Sequence, residues 1–256
     1  MSVAQTRSEV DEQAAGLVQR IGRFVFRFRD YLAPLGLALI LLLTRPELLF
    51  GSAGWNTSTD LAGVLIAAIG QALRVSVIGY AYIVRGGSGK RLAAPKLVCE
   101  GFYAHSRNPM YVGNFLLLLG LAIIYNSRWV YVLALPVFYG GLLSIIKAEE
   151  NFLASQFGEE YTAYCRRTNR FLPRLTGLRA TMQSMRFDWK RVLRKEYGTT
   201  FAWTTAALFL MAWERVHHFG FAVARRQLTV LGAIWLLSVA WWATVRFLKK
   251  THRLDS

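Results

Sequence analysis

Two cysteines in 256 residues are too few for a disulfide framework or a Cys-rich zinc module. Acidic residues are also scarce: 15 Asp+Glu stand against 31 Lys+Arg, for a net charge of +16. The first 30 residues lack a continuous apolar stretch and a small-residue cleavage site, and they carry Glu9, Asp11, Glu12 and Asp30. They therefore do not read as a signal peptide. Internal repeats and low-complexity tracts are missing too. What is abundant is apolar side chain, 54% of the total, with 14% aromatic. The aromatic share excludes a disordered basic tail protein. Basic charge alone would suit nucleic acid, but with this apolar content it reads as an all-α integral membrane protein with basic cytoplasmic edges and no nucleic-acid partner.

A bilayer core takes roughly 20 mostly apolar residues in a helix. Six such runs are expected, at 31–50, 61–84, 109–126, 129–146, 199–217 and 228–247. The alternative for the second and fifth is an interfacial or soluble core helix. Lys and Arg divide 25 to 5 between alternate sides of these six runs, with Arg74 inside one of them. Short Lys/Arg-rich loops stay in the cytoplasm, so the split predicts both termini inside. That places Cys99 and Cys165 on the reducing side. Within residues 1–30, Leu17, Val18, Ile21, Phe24, Val25 and Phe28 recur at helical spacing among arginines, which predicts an amphipathic helix lying on the membrane surface. The chain then divides into that helix (1–30), a core (31–175), a basic cytoplasmic linker (176–198), and a C-terminal two-helix hairpin with a basic tail (199–256).

The runs at 109–126 and 129–146 are joined by Ser127 and Arg128 alone, so they must form an antiparallel hairpin. Each is long enough for about 27 Å of helix, which puts their inner ends at one depth. Two polar clusters therefore meet: Ser106-Arg107-Asn108-Pro109-Met110-Tyr111 and Lys147-Ala148-Glu149-Glu150. The first is a helix start, with Asn108 suited to the N-cap and Pro109 to the first helical position, and free N–H groups there attract an anion. The second sets two carboxylates at a helix C-terminus, where the dipole disfavours them and a cationic partner is expected. Read separately, Asn-Pro is an ordinary helix start and Glu-Glu a solvated membrane exit. Read together, they suit a ligand carrying both a carboxylate and cationic centres.

Other features are weaker. Gly86-Gly87-Ser88-Gly89-Lys90 is no P-loop, since Val84 and Arg91 occupy positions that motif needs for Gly and Ser/Thr. It is a flexible loop or a plain turn. Arg74 and Gln71 lie within an apolar run, where an arginine faces a polar cavity or a partner, or snorkels to the surface. His105 is either a ligand contact or solvent-facing. His217-His218 has no metal-ligand spacing, so no metal is expected, and no Ser/His/Asp or Cys/His set falls within one leaflet.

Gly101-Phe102-Tyr103 with Ser106 to Gly113, followed by Glu149-Glu150-x-x-Leu153, Phe157-Gly158-x-x-Tyr161-x-x-Tyr164 and Arg170-Phe171-x-Pro173, resembles the paired signatures of the isoprenylcysteine carboxyl methyltransferase and phospholipid methyltransferase superfamily. The resemblance covers about residues 61–175. It implies S-adenosylmethionine as methyl donor, bound at the cytoplasmic face, and a lipid or small apolar acceptor from the bilayer. By that resemblance the donor would be held by Gly87, Gly89, Arg107, Asn108, Tyr111, Glu149 and Glu150. Arg74, His105, Tyr161 and Arg170 are acceptor-side candidates, and Arg107, Glu150 and Arg170 are the candidates for a catalytic part. Asn108 stands where the family carries His; an Asn can donate and accept hydrogen bonds but does not titrate near neutral pH. Two rival readings are a membrane sterol or steroid reductase using NADPH, disfavoured because the acidic pair would repel a 2′-phosphate, and a non-enzymatic membrane scaffold.

Overall fold

The computed structural model describes residues 38–48, 53–80 and 96–254, with scattered positions between 16 and 36. The expected N-terminal amphipathic helix and the Gly-rich loop fall almost wholly outside the described residues. Among the described residues the structure is helical with no strand, as a chain that must pair its backbone inside lipid requires. Among the described residues three helices are long and apolar enough to cross a bilayer, Asn56–Tyr80, Val130–Arg167 and Trp189–Lys250, and Pro109–Tyr125 is a shorter apolar helix. Leu61, Leu65 and Ile69 on one helix and Leu236 and Leu237 on another are more than half exposed, the outward apolar faces expected against lipid chains.

Helices α1 (Ala53–Tyr80) and α2 (Pro109–Tyr125) form the tightest pair. Their seam is lined by Gly63, Ala67 and Gly70 on α1 and Gly113 and Gly120 on α2. A Cβ built on Gly63 would sit 2.6 Å from the Gly120 carbonyl oxygen, and one on Gly70 would sit 2.7 Å from that of Gly113. Small residues let two backbones approach this closely, which is how helices associate where lipid offers no hydrophobic drive.

α2 ends on Asn126, in the left-handed conformation, whose N–H returns to the Ala122 carbonyl. The Asn126 side chain donates to the Glu47 carbonyl at 2.6 Å, and Tyr125 donates to the Thr44 carbonyl at 2.9 Å. The helix at 38–43 stops there, so the run expected to reach residue 50 ends earlier, and 44–48 is irregular. Ser127 and Arg128 then turn the chain into a π-helical turn, Val130–Ala134, and α3 (Leu135–Arg167). Phe115 of α2 meets Tyr139 of α3 edge-on at 5.4 Å, which closes the expected hairpin. Gly158, at φ 48°, kinks α3.

Helix α4 (Leu178–Gln183) is short, and α5 (Trp189–Lys250) follows. Asp188 caps α5 by accepting from the Arg191 N–H at 2.9 Å. The boundary expected at 199 therefore lies inside a helix that has already begun. Gly220, at φ 74° and ψ 162°, breaks α5. The two halves fold back on each other: Phe201 stacks on Trp242 at 5.2 Å, and Lys249 Nζ reaches the Arg194 carbonyl at 3.3 Å.

Candidate functional site

The start of α2 and the middle of α3 meet around Glu150. Its Oε1 accepts from Asn108 Nδ2 at 3.3 Å and Arg170 Nε at 3.2 Å, while Oε2 lies 2.6 Å from Arg170 Nη2. Arg107 Nη1 is 3.6 Å from Oε1. Next to it, Tyr111 donates to Glu149 Oε1 at 2.8 Å. Asn108 occupies the N-cap position with Pro109 behind it, but its side chain makes no capping bond and turns instead to Glu150 and the Arg170 carbonyl. That use of the amide leaves the helix start without a side-chain cap.

Arg170 comes from a strap after α3 that is sewn to the segment before α2. Arg107 N–H donates to the Asn169 carbonyl at 2.8 Å, Arg174 N–H to the His105 carbonyl at 3.0 Å, and Ser106 Oγ to the Phe171 carbonyl at 2.9 Å. Tyr164 closes the same corner by donating to the Tyr103 carbonyl at 2.8 Å. Two backbone bonds and two side-chain bonds to backbone carbonyls thus fix a side chain that would otherwise wander on a loop.

Arg107 is the most confined cation in the cluster. Its Nη1 donates to Cys165 Sγ at 2.9 Å, and its Nε is buried without a hydrogen-bond partner among the described residues. Burial disfavours its charge, yet neighbouring Cys165 and Glu150 outweigh that cost, and the guanidinium holds its proton more tightly than an ordinary arginine. The Glu150 and Arg170 side chains are 16% and 37% exposed, so this pair is partly open to solvent.

Six of the sequence-identified residues are therefore gathered in one cluster: Arg107, Asn108, Tyr111, Glu149, Glu150 and Arg170. Tyr161 lies just behind them, buried with Leu153 and Tyr164. Gly87 and Gly89 lie outside the described residues. The solvent-facing alternative for His105 does not hold. It is buried, with one ring nitrogen 2.6 Å from the Arg174 carbonyl and the other 2.9 Å from Thr181 Oγ1, so both polar atoms already serve to hold the strap.

Arg74 has a protein partner. Its Nε and Nη2 fork onto Glu196 at 2.9 and 2.7 Å, with Gln71 donating to the same carboxylate at 3.2 Å and Asn114 bonded to Nη1. Glu196 was expected in a cytoplasmic linker; it is 2% exposed, because α5 begins early enough to carry it between α1 and α2. Sequence reasoning missed it, and the available signal was a single acid among basic residues opposite an embedded arginine. It missed Cys165 as well, for which no sequence signal was available.

A bundle of apolar helices with a charged centre at the foot of one hairpin defines an integral membrane protein. The phospholipid methyltransferase family model matches residues 59–160. The chain is 30% identical over 163 residues to the cobalt-zinc-cadmium resistance protein CzcN of Cupriavidus metallidurans, covering 63% of this chain and 71% of that one. It is 27% identical over 133 residues to the nickel-cobalt-cadmium resistance protein NccN of Alcaligenes xylosoxydans xylosoxydans, covering 52% of this chain and 61% of the relative. No solved structure matches. The chain belongs to the isoprenylcysteine carboxyl and phospholipid methyltransferase superfamily.

Proposed function

We propose that this protein is an S-adenosylmethionine-dependent methyltransferase of the inner membrane, acting on a lipid or small apolar acceptor from a cytoplasm-facing site. The carrying observation is the convergence of Arg107, Asn108 and Arg170 on Glu150, beside Tyr111–Glu149, at a helix start. The amino-acid end of the donor carries an ammonium and a carboxylate, and the cluster offers both complements. Glu150 and Glu149 are the acids for the ammonium. The unpartnered Arg107 Nε and the uncapped start of α2 are the donors for the carboxylate. The residues present therefore fit that end of the cofactor.

When bound, the donor supplies an electrophilic methyl on a sulfonium. The chain's residues need provide no nucleophile: they bind, orient and keep water out. Arg170 and Arg107 neutralise Glu150, which would hold the donor's ammonium when the donor is bound. Tyr161 and its apolar neighbours pack behind the centre. An amine acceptor also needs a base to take its proton, whereas a carboxylate or thiolate acceptor does not.

The 25-to-5 split of basic residues supports six crossings with both termini in the cytoplasm, the crossings being the helix near residue 40, α1, α2, α3 and the two halves of α5. The resulting basic surface would lie against anionic inner-leaflet lipids, on the side of the site. Membranes containing the protein, incubated with methyl-labelled S-adenosylmethionine, should yield a labelled lipid-soluble product. Thermal stabilisation by NADPH and not by S-adenosylmethionine would instead support a reductase, and a response to neither would support a scaffold. The names of the two relatives favour a second reading at the level of physiology, a contribution to cobalt, zinc or cadmium tolerance. Growth of a deletion strain on those metals tests it independently of the acceptor.

A further inference from the structure

A second polar centre lies at the other end of α1. Asn56 and Asp60 are on its first turns, Glu214 and Arg215 on α5 just before the Gly220 break, and these four are at most 8% exposed. Asp60 is 14 positions before Arg74 on the same helix, about 21 Å away along the axis. Gly63, beside Asp60, packs on Gly120 and Ile124 at the opposite end of α2 from Asn108, so the centre is separate from the Glu150 cluster and is used by nothing in the proposed reaction.

Its carboxyl groups outnumber its cations. Arg215 Nη2 donates to Asp60 Oδ2 at 2.6 Å and reaches Thr57 Oγ1 at 3.5 Å. Glu214 lies against Asp60 and Asn56, yet neither of its oxygens makes a hydrogen bond of ordinary geometry. Asp60 Oδ1 and both amide atoms of Asn56 are likewise unpartnered among the described residues. Two carboxylates thus share one arginine, with Glu214 and Asn56 at 0% exposure. Buried charge left uncompensated is among the most costly arrangements a fold can hold. Asn56 is the telling residue: an uncharged side chain, fully buried beside Glu214, whose amide makes no hydrogen bond of ordinary geometry among the described residues.

We propose that Asn56 Oδ1, Asp60 Oδ1 and Glu214 form a binding site for one small hard cation, of the sodium or alkaline-earth class. Oxygen donors of this kind select hard cations. No group of three His, Cys, Asp or Glu gathers among the described residues, so the donor set does not suit zinc or its neighbours. Arg215 holds Oδ2 of Asp60 and leaves Oδ1 for the ion. The cation ties α1 to α5 at the end where the Gly220 break leaves the backbone unsupported.

The test uses the full chain in detergent, stripped with chelator and held in choline chloride. Thermal unfolding is followed while sodium, magnesium or calcium chloride is added at constant ionic strength, with choline chloride as control. The expected result is a saturable rise in Tm with one of the cations and not with choline, lost in Glu214→Gln. Asn56→Ala, which keeps both charges and guards against a Glu214 variant that fails to fold, should shift the titration to higher cation concentration. Equal responses to every salt, or none, overturn the proposal. So does a Glu214→Gln protein as stable as the wild type without added cation, because the carboxyl would then be holding a proton in place of the ion.

Discussion

Two Arg–Glu pairs of nearly identical geometry sit in different surroundings in this molecule. Arg170–Glu150 and Arg74–Glu196 close at 2.6 and 2.7 Å. The first has side chains 37% and 16% exposed and sits on a strap beside an uncapped helix start. The second is 11% and 3% exposed, and Gln71, Asn114 and Thr199 complete its shell. A pair at the rim exchanges with a ligand at little cost; a sealed pair is a structural joint. Contact distance alone says nothing about which role a pair plays; burial and the surrounding donors decide.

Breaking the sealed pair should have the largest effect. Arg74→Met leaves Glu196 buried without its fork, and a loss of about 3–5 kcal/mol is expected for such a change. Thermal unfolding in detergent should show it, and the double change Arg74→Met with Glu196→Leu should recover much of the loss. A single variant that unfolds like the wild type would place Arg74 on the acceptor side after all. The same measurement on Arg170→Met should show little change, which sharpens the contrast.

The α1–α2 seam comes next. A side chain at Gly120 meets the Gly63 carbonyl and the Ala67 backbone and Cβ. Overpacking of this kind costs about 1–3 kcal/mol, so Gly120→Leu should lower Tm, while Gly140→Leu, with open space around it, should not. The smallest effect is expected at Asp188. The Arg191 N–H, and the Arg191 charge after it, hold the Asp188 carboxyl below the usual carboxylate range. Its contribution is therefore complete above that range and is lost as pH falls through the lowered value. Asp188→Ala should cost about 1 kcal/mol near neutral pH, with the difference from wild type shrinking in acid.

Much of the Glu150 centre was legible because one local fact constrained it. A two-residue link between two apolar runs forces a hairpin, and a hairpin forces residues 106–111 and 147–150 to one depth. Arg170 was legible from the family signature, while the bonds that deliver it, through Asn169, Phe171 and Arg174, belong to backbone that carries no side-chain signal. The Glu196 partner was hidden for a different reason. Residues 189–198 are basic and read as surface, yet α5 starts at Trp189 and its packing, not its composition, buries one face. The glycine seam was written in the sequence at seven-residue spacing, Gly63 to Gly70 and Gly113 to Gly120. Hydropathy finds spans and does not weigh which small residues two spans share.

The central claim is that Glu150 is kept exchangeable in order to hold a methyl donor. Calorimetric titration of S-adenosylmethionine into wild type and Glu150→Gln protein, each verified by an unchanged melting profile, tests it most directly. Saturable binding to the wild type and none to the variant is the predicted result. Equal binding to both would contradict the account and leave the Glu150 cluster, like the Arg74–Glu196 pair, a joint in the fold.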